Sequence, residues 1–180
     1  TRSANVARIY SAIIKEFPGP NSVTKNEKRW KELTAPLGIT HRAPLFIATC
    51  EILTRKYKEQ IPDKYSELIE LPGVGHYTAN AVLCFAYNIS AHIIDTNTLR
   101  IASRVTGEKI AQGSHRSQRA KALVKHCFGD NRGLKATQNY ALLDLAHSTC
   151  TPSNPRCLTC PLSSICHYAS SIEVKPGKPE

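Results

Sequence analysis

The chain has 180 residues, enough for one or two small domains around a real apolar core. Its 24 Lys and Arg against 14 Asp and Glu leave a net charge of +10, which points to a polyanionic partner, nucleic acid first. No apolar run approaches the ~20 residues of a membrane helix, and the opening TRSANVARIY lacks the apolar core of a signal peptide.

A protein that is neither secreted nor membrane-bound is intracellular, in a reducing compartment where thiols are free to bind metal. Seven cysteines are an odd count, which fits a disulfide framework poorly. Cys50, Cys84 and Cys127 sit among apolar neighbours and read as ordinary buried thiols. There is no Met and the chain begins at Thr1, so an upstream piece is expected to be missing from it.

The chain reads as all-α. Helical apolar spacing runs through Asn5–Phe17, with Val6, Ile9, Tyr10, Ile13 and Phe17 on one stripe, ended by the loop PGPNSVT. Short helices follow at 27–35, stopped near Pro36-Leu37-Gly38, and at 44–57. Asp63 after Pro62 is placed to cap a helix through Glu70. The turn LPGVG leads into a helix over 76–87, then an extended AHIID and a helix over 96–105. The span His115–Phe128 is a basic helix, 138–149 another, and the end of the chain is a frayed tail.

Three motifs carry chemistry. In Leu71-Pro72-Gly73-Val74-Gly75, two glycines permit positive φ and close approach. The following helix then offers unpaired N–H groups, beginning at His76, to a phosphate oxygen. Such contacts hold a duplex without reading its sequence. Asp95, 20 residues beyond Gly75, stands where a carboxylate caps a helix and meets its positive end. Finally, Cys150, Cys157, Cys160 and Cys166 form a C-x6-C-x2-C-x5-C run. Four thiolates so close suit tetrahedral zinc or an iron–sulfur cluster, and spacing alone leaves both open.

LPGVGHYTANAV, then IIDTNTLRIASRV, then the cysteine run, in this order, resemble the helix-hairpin-helix DNA glycosylases of the endonuclease III superfamily over roughly residues 1–168. The resemblance implies a six-helix-barrel domain bearing the hairpin (1–104) and a helical [4Fe–4S] domain (105–170) ahead of a tail (171–180), with a DNA cleft between the two domains. It implies that the four cysteines hold the cluster, and that Leu71, Gly73, Val74, Gly75 and His76 contact DNA. Asp95 becomes the catalytic carboxylate, opposing positive charge on the deoxyribose as its N-glycosidic bond breaks. Asn97 resembles the Asn that accompanies it in adenine- and thymine-mismatch enzymes.

Members that also cut the backbone carry a Lys in a GVG-x-K pattern, and its amine forms an imine with the sugar. Here Tyr77 stands in that place, which implies a monofunctional glycosylase with little or no lyase activity. Tyr at this position resembles both the mismatch thymine/uracil enzymes and the MutY-type adenine enzymes. The segment PLGITHRA looks more like the thymine type, and Ile39 is then a wedge for base flipping. The expected partner is duplex DNA with a mismatched or damaged base, bound by a monomer in the cytoplasm or nucleoid. Relatives also carry sequence ahead of the position of Thr1, including a helix against the cluster domain. A catalytically silent DNA-binding module of the same fold is the competing reading.

Overall fold

The computed structural model describes residues 3–110, 116–129 and 133–173. It is helical, as expected from the sequence. Among the described residues the extended pairing is limited to an isolated antiparallel bridge between Ala91 and Leu134, next to the predicted AHIID stretch. No helix of the described residues is long and apolar enough to cross a membrane. The chain divides into two compact units, Thr1–Ala79 and Asn80–Glu180.

The first unit holds α1 (Ser3–Glu16), α2 (Pro20–Lys25), α3 (Glu27–Thr34), α4 (Ala43–Tyr57), the one-turn α5 (Tyr65–Leu68) and the start of α6 (His76–Ala81). Phe17, Val23, Trp30, Ile47 and Cys50 make its core, with Ile13 and Leu33 packed against it. Trp30 meets Phe17 edge-on and stacks on Phe46 at 4.4 Å. Three local expectations are corrected. The predicted loop at Pro20 is a helix, because Pro at the first helical position needs no N–H and its φ is already helical. Val23 buries that turn in the core. Of the α1 stripe, Phe17 is buried and Ile13 packs on the core, while Val6 and Tyr10 are exposed, because the contacts of α1 with α3 lie toward its C-terminal end. Asp63 caps nothing: α5 is capped at Lys64 without a side-chain hydrogen bond, and buried Leu68 anchors the turn instead.

In the second unit α6 runs on into a wider turn at Val82–Ala86, followed by α7 (Thr96–Thr106), α8 (Gln118–Phe128), α9 (Ala136–Ser148) and α10 (His167–Glu173). α8 begins after its Ser117 cap, whose hydroxyl accepts from Ala120 N–H; His115 and the tail beyond 173 lie outside the described residues. Leu99 and Ala102 of α7 pack on Ala120, Leu123 and Val124 of α8. A second cluster joins Cys84, Ala91 and Ile93. There the buried Asn139 amide donates to Cys84 Sγ (3.2 Å) and to the carbonyls of Ala91 (2.9 Å) and Leu134 (3.1 Å), fastening both sides of the bridge to α9. α7 therefore has an apolar side against α8, which leaves Asn97, Arg100 and Arg104, at helical spacing, for other work.

Candidate active site and iron–sulfur loop

The hairpin belongs to the first unit. After α5, Val74 N–H bonds back to the Leu71 carbonyl (3.0 Å), and Gly75 accepts the first bond of α6 from Ala79 (2.9 Å). Leu71 is buried and anchors the turn. Thr49 Oγ1 of α4 donates to the Pro72 carbonyl (2.7 Å), holding the turn from behind. Only one of the two glycines takes a positive φ. Gly73 sits at +76°, with Leu45 of α4 3.1 Å from where a Cβ would stand. Gly75 lies outside the left-handed region and has nothing within 4 Å of that position, so its bareness faces open space. His76 opens α6, its ring stacked on Tyr65 with Nδ1 against the Tyr65 hydroxyl. Tyr77 is 44% exposed. Ile39 is half-buried just after left-handed Gly38, and its carbonyl accepts from Arg42 N–H (2.8 Å).

Asp95 and Asn97 are brought together in the second unit. Asp95 is the N-cap of α7 in a full capping box: its Oδ1 accepts from Asn97 N–H and Thr98 N–H, both at 2.8 Å, and from Thr98 Oγ1 (3.2 Å). Thr98 Oγ1 in turn accepts from Asp95 N–H (3.0 Å). Among the described residues, Oδ2 accepts from the Asn97 side-chain amide at 2.8 Å. The donors converge at the positive end of α7, an arrangement that suits negative charge. One carboxylate oxygen is thus saturated by the fold, and the other retains acceptor capacity in a half-buried setting.

The cysteine run follows α9 as two short turns, Cys157–Thr159 and Ser163–Ile165. Cys160 N–H bonds to the Cys157 carbonyl (3.1 Å) and Cys166 N–H to the Ser163 carbonyl (3.3 Å), so the loop is folded on itself. The four thiols share one field. Burial pushes the Cys157 thiol up first, and the Cys166, Cys150 and Cys160 thiols push the same way, against the opposing pull of Arg104. Yet no three His, Cys, Asp or Glu among the described residues gather closely enough for a single metal ion. Four soft thiolates on one folded loop are a donor set that fits an iron–sulfur cluster as well as zinc.

Two arginines of α7 that the sequence reading did not single out reach this loop. Arg100 donates to the Cys150 carbonyl (2.9 Å), the Ala146 carbonyl (3.0 Å) and Asn97 Oδ1 (3.2 Å). Arg104 reaches Cys150 Sγ (3.2 Å) and the Thr151 carbonyl (2.8 Å). The signal available in sequence was the spacing of 97, 100 and 104 on one helical face. Of the other thiols, Cys50 and Cys84 are buried as expected and Cys127 is partly so; burial pushes Cys50 up to about 11.

The chain thus carries a glycine hairpin, a capped carboxylate and a four-thiol loop. Comparison with known proteins gives the family. A model described as the helix-hairpin-helix motif matches residues 56–85, and one described as the iron–sulfur binding domain of endonuclease III matches 150–166. Thymine-DNA glycosylase of Aeropyrum pernix is 34% identical over 171 residues, 93% of this chain and 77% of its own. Thymine/uracil-DNA glycosylase of Pyrobaculum aerophilum is 32% identical, covering 96% and 77%. Adenine DNA glycosylase of Mycobacterium tuberculosis is 31% identical, covering 90% of this chain but 53% of the relative, so this chain spans about half of that protein. Among solved structures, a thermostable thymine-DNA glycosylase superposes with a TM-score of 0.81 at 23% identity over 95% of this chain and 79% of its own. An endonuclease III–DNA complex gives 0.80 at 21% identity, over 97% and 80%. The chain belongs to the helix-hairpin-helix DNA glycosylases of the endonuclease III superfamily, with the [4Fe–4S]-binding domain of that family.

Proposed function

We propose that the chain is a monofunctional DNA glycosylase that removes thymine or uracil opposite guanine from duplex DNA, acting as a monomer inside the cell. The observation that carries this reading is the Asp95 carboxylate, with Oδ1 held by the α7 N-terminus and Oδ2 accepting, among the described residues, from Asn97. A flipped nucleotide that sets its deoxyribose over Oδ2 places developing oxocarbenium charge beside an anion already fixed in place. The C1′–N bond breaks, the base leaves and takes up a proton, and a water oxygen bonds to C1′. Asn97 orients Oδ2 and keeps the carboxylate from rotating out of line.

Tyr77 supports the absence of lyase chemistry, because a phenol forms no imine with the abasic sugar. The hairpin from Leu71 to His76 holds the phosphate backbone, and Ile39 fills the gap left by the flipped base. Cys150, Cys157, Cys160 and Cys166 hold the cluster, whose iron–thiolate bonds, when it is bound, fix the shape of loop 150–166. Thymine or uracil is favoured over adenine because the two relatives named for those bases are 34% and 32% identical and are each covered to 77%.

The test is single-turnover excision on duplexes carrying G·T, G·U and 8-oxoguanine·A. Excision of T and U from opposite G is the expected result. Excision of adenine alone would move the chain to the adenine type, and no excision on any duplex that it binds would make it a silent binding module.

A further inference from the structure

We propose that Arg104 is a positioning residue for the iron–sulfur cluster, a single guanidinium that both fastens the first ligand loop and sets the reduction potential of the cluster. Nη1 donates to Cys150 Sγ at 3.2 Å and to the Thr151 carbonyl at 2.8 Å, and Nη2 donates to the Pro152 carbonyl at 3.0 Å. The guanidinium lies 4.7 Å from the centre of the Tyr168 ring, two residues past the last ligand. The backbone of the same residue meets that last ligand: Cys166 Sγ is 3.3 Å from the Arg104 carbonyl. An iron-bound thiolate has no proton to give, so what Arg104 offers the last ligand is proximity and not a bond. One residue of α7 therefore touches both ends of the cysteine run, through its side chain at Cys150 and its main chain at Cys166.

The physical consequence differs from that of an ordinary loop clip. A fork holding three consecutive residues, with an aromatic face beneath it, fixes the loop whatever the redox state. A cation donating N–H to a ligand sulfur also withdraws electron density from that sulfur. It stabilises the cluster more when the cluster carries one more electron, so it raises the reduction potential. Arg100 shares the first role, through the Cys150 carbonyl, but makes no bond to sulfur. The assignment to Arg104 does not depend on which base the chain excises.

The test uses the full chain with its cluster reconstituted, as wild type, Arg104→Met and Arg104→Lys. Visible absorption follows bleaching of the cluster in ferricyanide, and protein-film voltammetry reads the one-electron couple. Arg104→Met is expected to bleach at least about tenfold faster, since it loses the bond to sulfur together with both carbonyl bonds, and its couple moves to more negative potential. Arg104→Lys keeps the charge and loses the fork, so it bleaches faster than wild type with a potential nearer to it. An Arg104→Met protein with the wild-type potential overturns the proposal. Should that variant take up no cluster, Arg104→Lys decides alone: bleaching at the wild-type rate overturns the proposal, and faster bleaching supports it.

Discussion

The two hairpin glycines give a sharp test, because Gly73 is left-handed against Leu45 whereas Gly75 faces open space. At Gly73 an alanine methyl meets two penalties. The backbone is left-handed, φ +76°, where an L side chain costs about 1–2 kcal/mol. The new Cβ also stands 3.1 Å from Leu45 Cβ and 3.5 Å from Leu45 Cδ1, and relieving that overlap adds up to about 1 kcal/mol. Gly73→Ala should therefore destabilise the hairpin unit by about 1–3 kcal/mol, a fall in Tm of roughly 2–12 °C. At Gly75 neither penalty applies, and Gly75→Ala should stay within about 0.5 kcal/mol of wild type. Its methyl instead occupies open space beside the first N–H groups of α6, where the proposed function would bring a DNA backbone. Loss of one hydrogen bond to a phosphate predicts a Kd weaker by roughly tenfold. Trp30, the chain's one tryptophan and part of the same unit's core, reports unfolding by fluorescence. Anisotropy with a labelled duplex, at fixed salt, reports binding. The reasoning is refuted if Gly75→Ala binds DNA like wild type, or if Gly73→Ala melts like wild type.

Asp95→Asn should lower excision at least about a hundredfold while leaving Tm within a few degrees, since Asn caps a helix about as well as Asp; retained excision would remove Asp95 from the chemistry. Tyr77→Lys should make abasic DNA trappable by borohydride as a covalent complex where wild type gives none, and trapping by wild type would show that another amine serves. Cys50 is held neutral in the fold, pushed up to about 11 from 9.0. Its contribution is present below pH 9 and lost as pH rises through about 11. Wild type should therefore lose about 2–3 kcal/mol over that range that Cys50→Ala does not, measured by urea unfolding at several pH values.

How much of this was legible depended on how far each partner lies along the chain. The Asp95 cap was legible because its partners, Asn97 and Thr98, are two and three residues away. The same locality made the cysteine loop and the LPGVG turn readable. The helix at Pro20 was equally local and was misread, because proline was taken as a stop where it was a start. Asp63 shows the converse: a good capping residue one position ahead of the N-cap, which Lys64 occupies. Arg100 and Arg104 were beyond reach for a different reason. Their acceptors lie 46 to 50 residues downstream, on the Ala146 and Cys150 carbonyls and Cys150 Sγ, so only packing of α7 against the end of α9 reveals them. Cysteine spacing announced a four-thiolate site and was silent on what fastens it.

The polarity of α7 explains why one helix can serve both places. Its positive end receives the Asp95 carboxylate, and its last turn carries Arg104, each the sign of charge that the helix dipole favours there. Nine residues at 1.5 Å per residue separate them by roughly 14 Å. Over that length the buried side of Leu99, Ile101 and Ala102 fixes the helix in the second unit. Arg100 also satisfies carbonyls at the C-terminal end of α9, groups a helix end otherwise leaves unpaired. The acid and the cluster loop thus owe their positions to the same rigid rod. A substitution that tilts α7, such as a large residue at fully buried Ala102, should disturb both, whereas Asp95→Asn and Arg104→Lys should each disturb one.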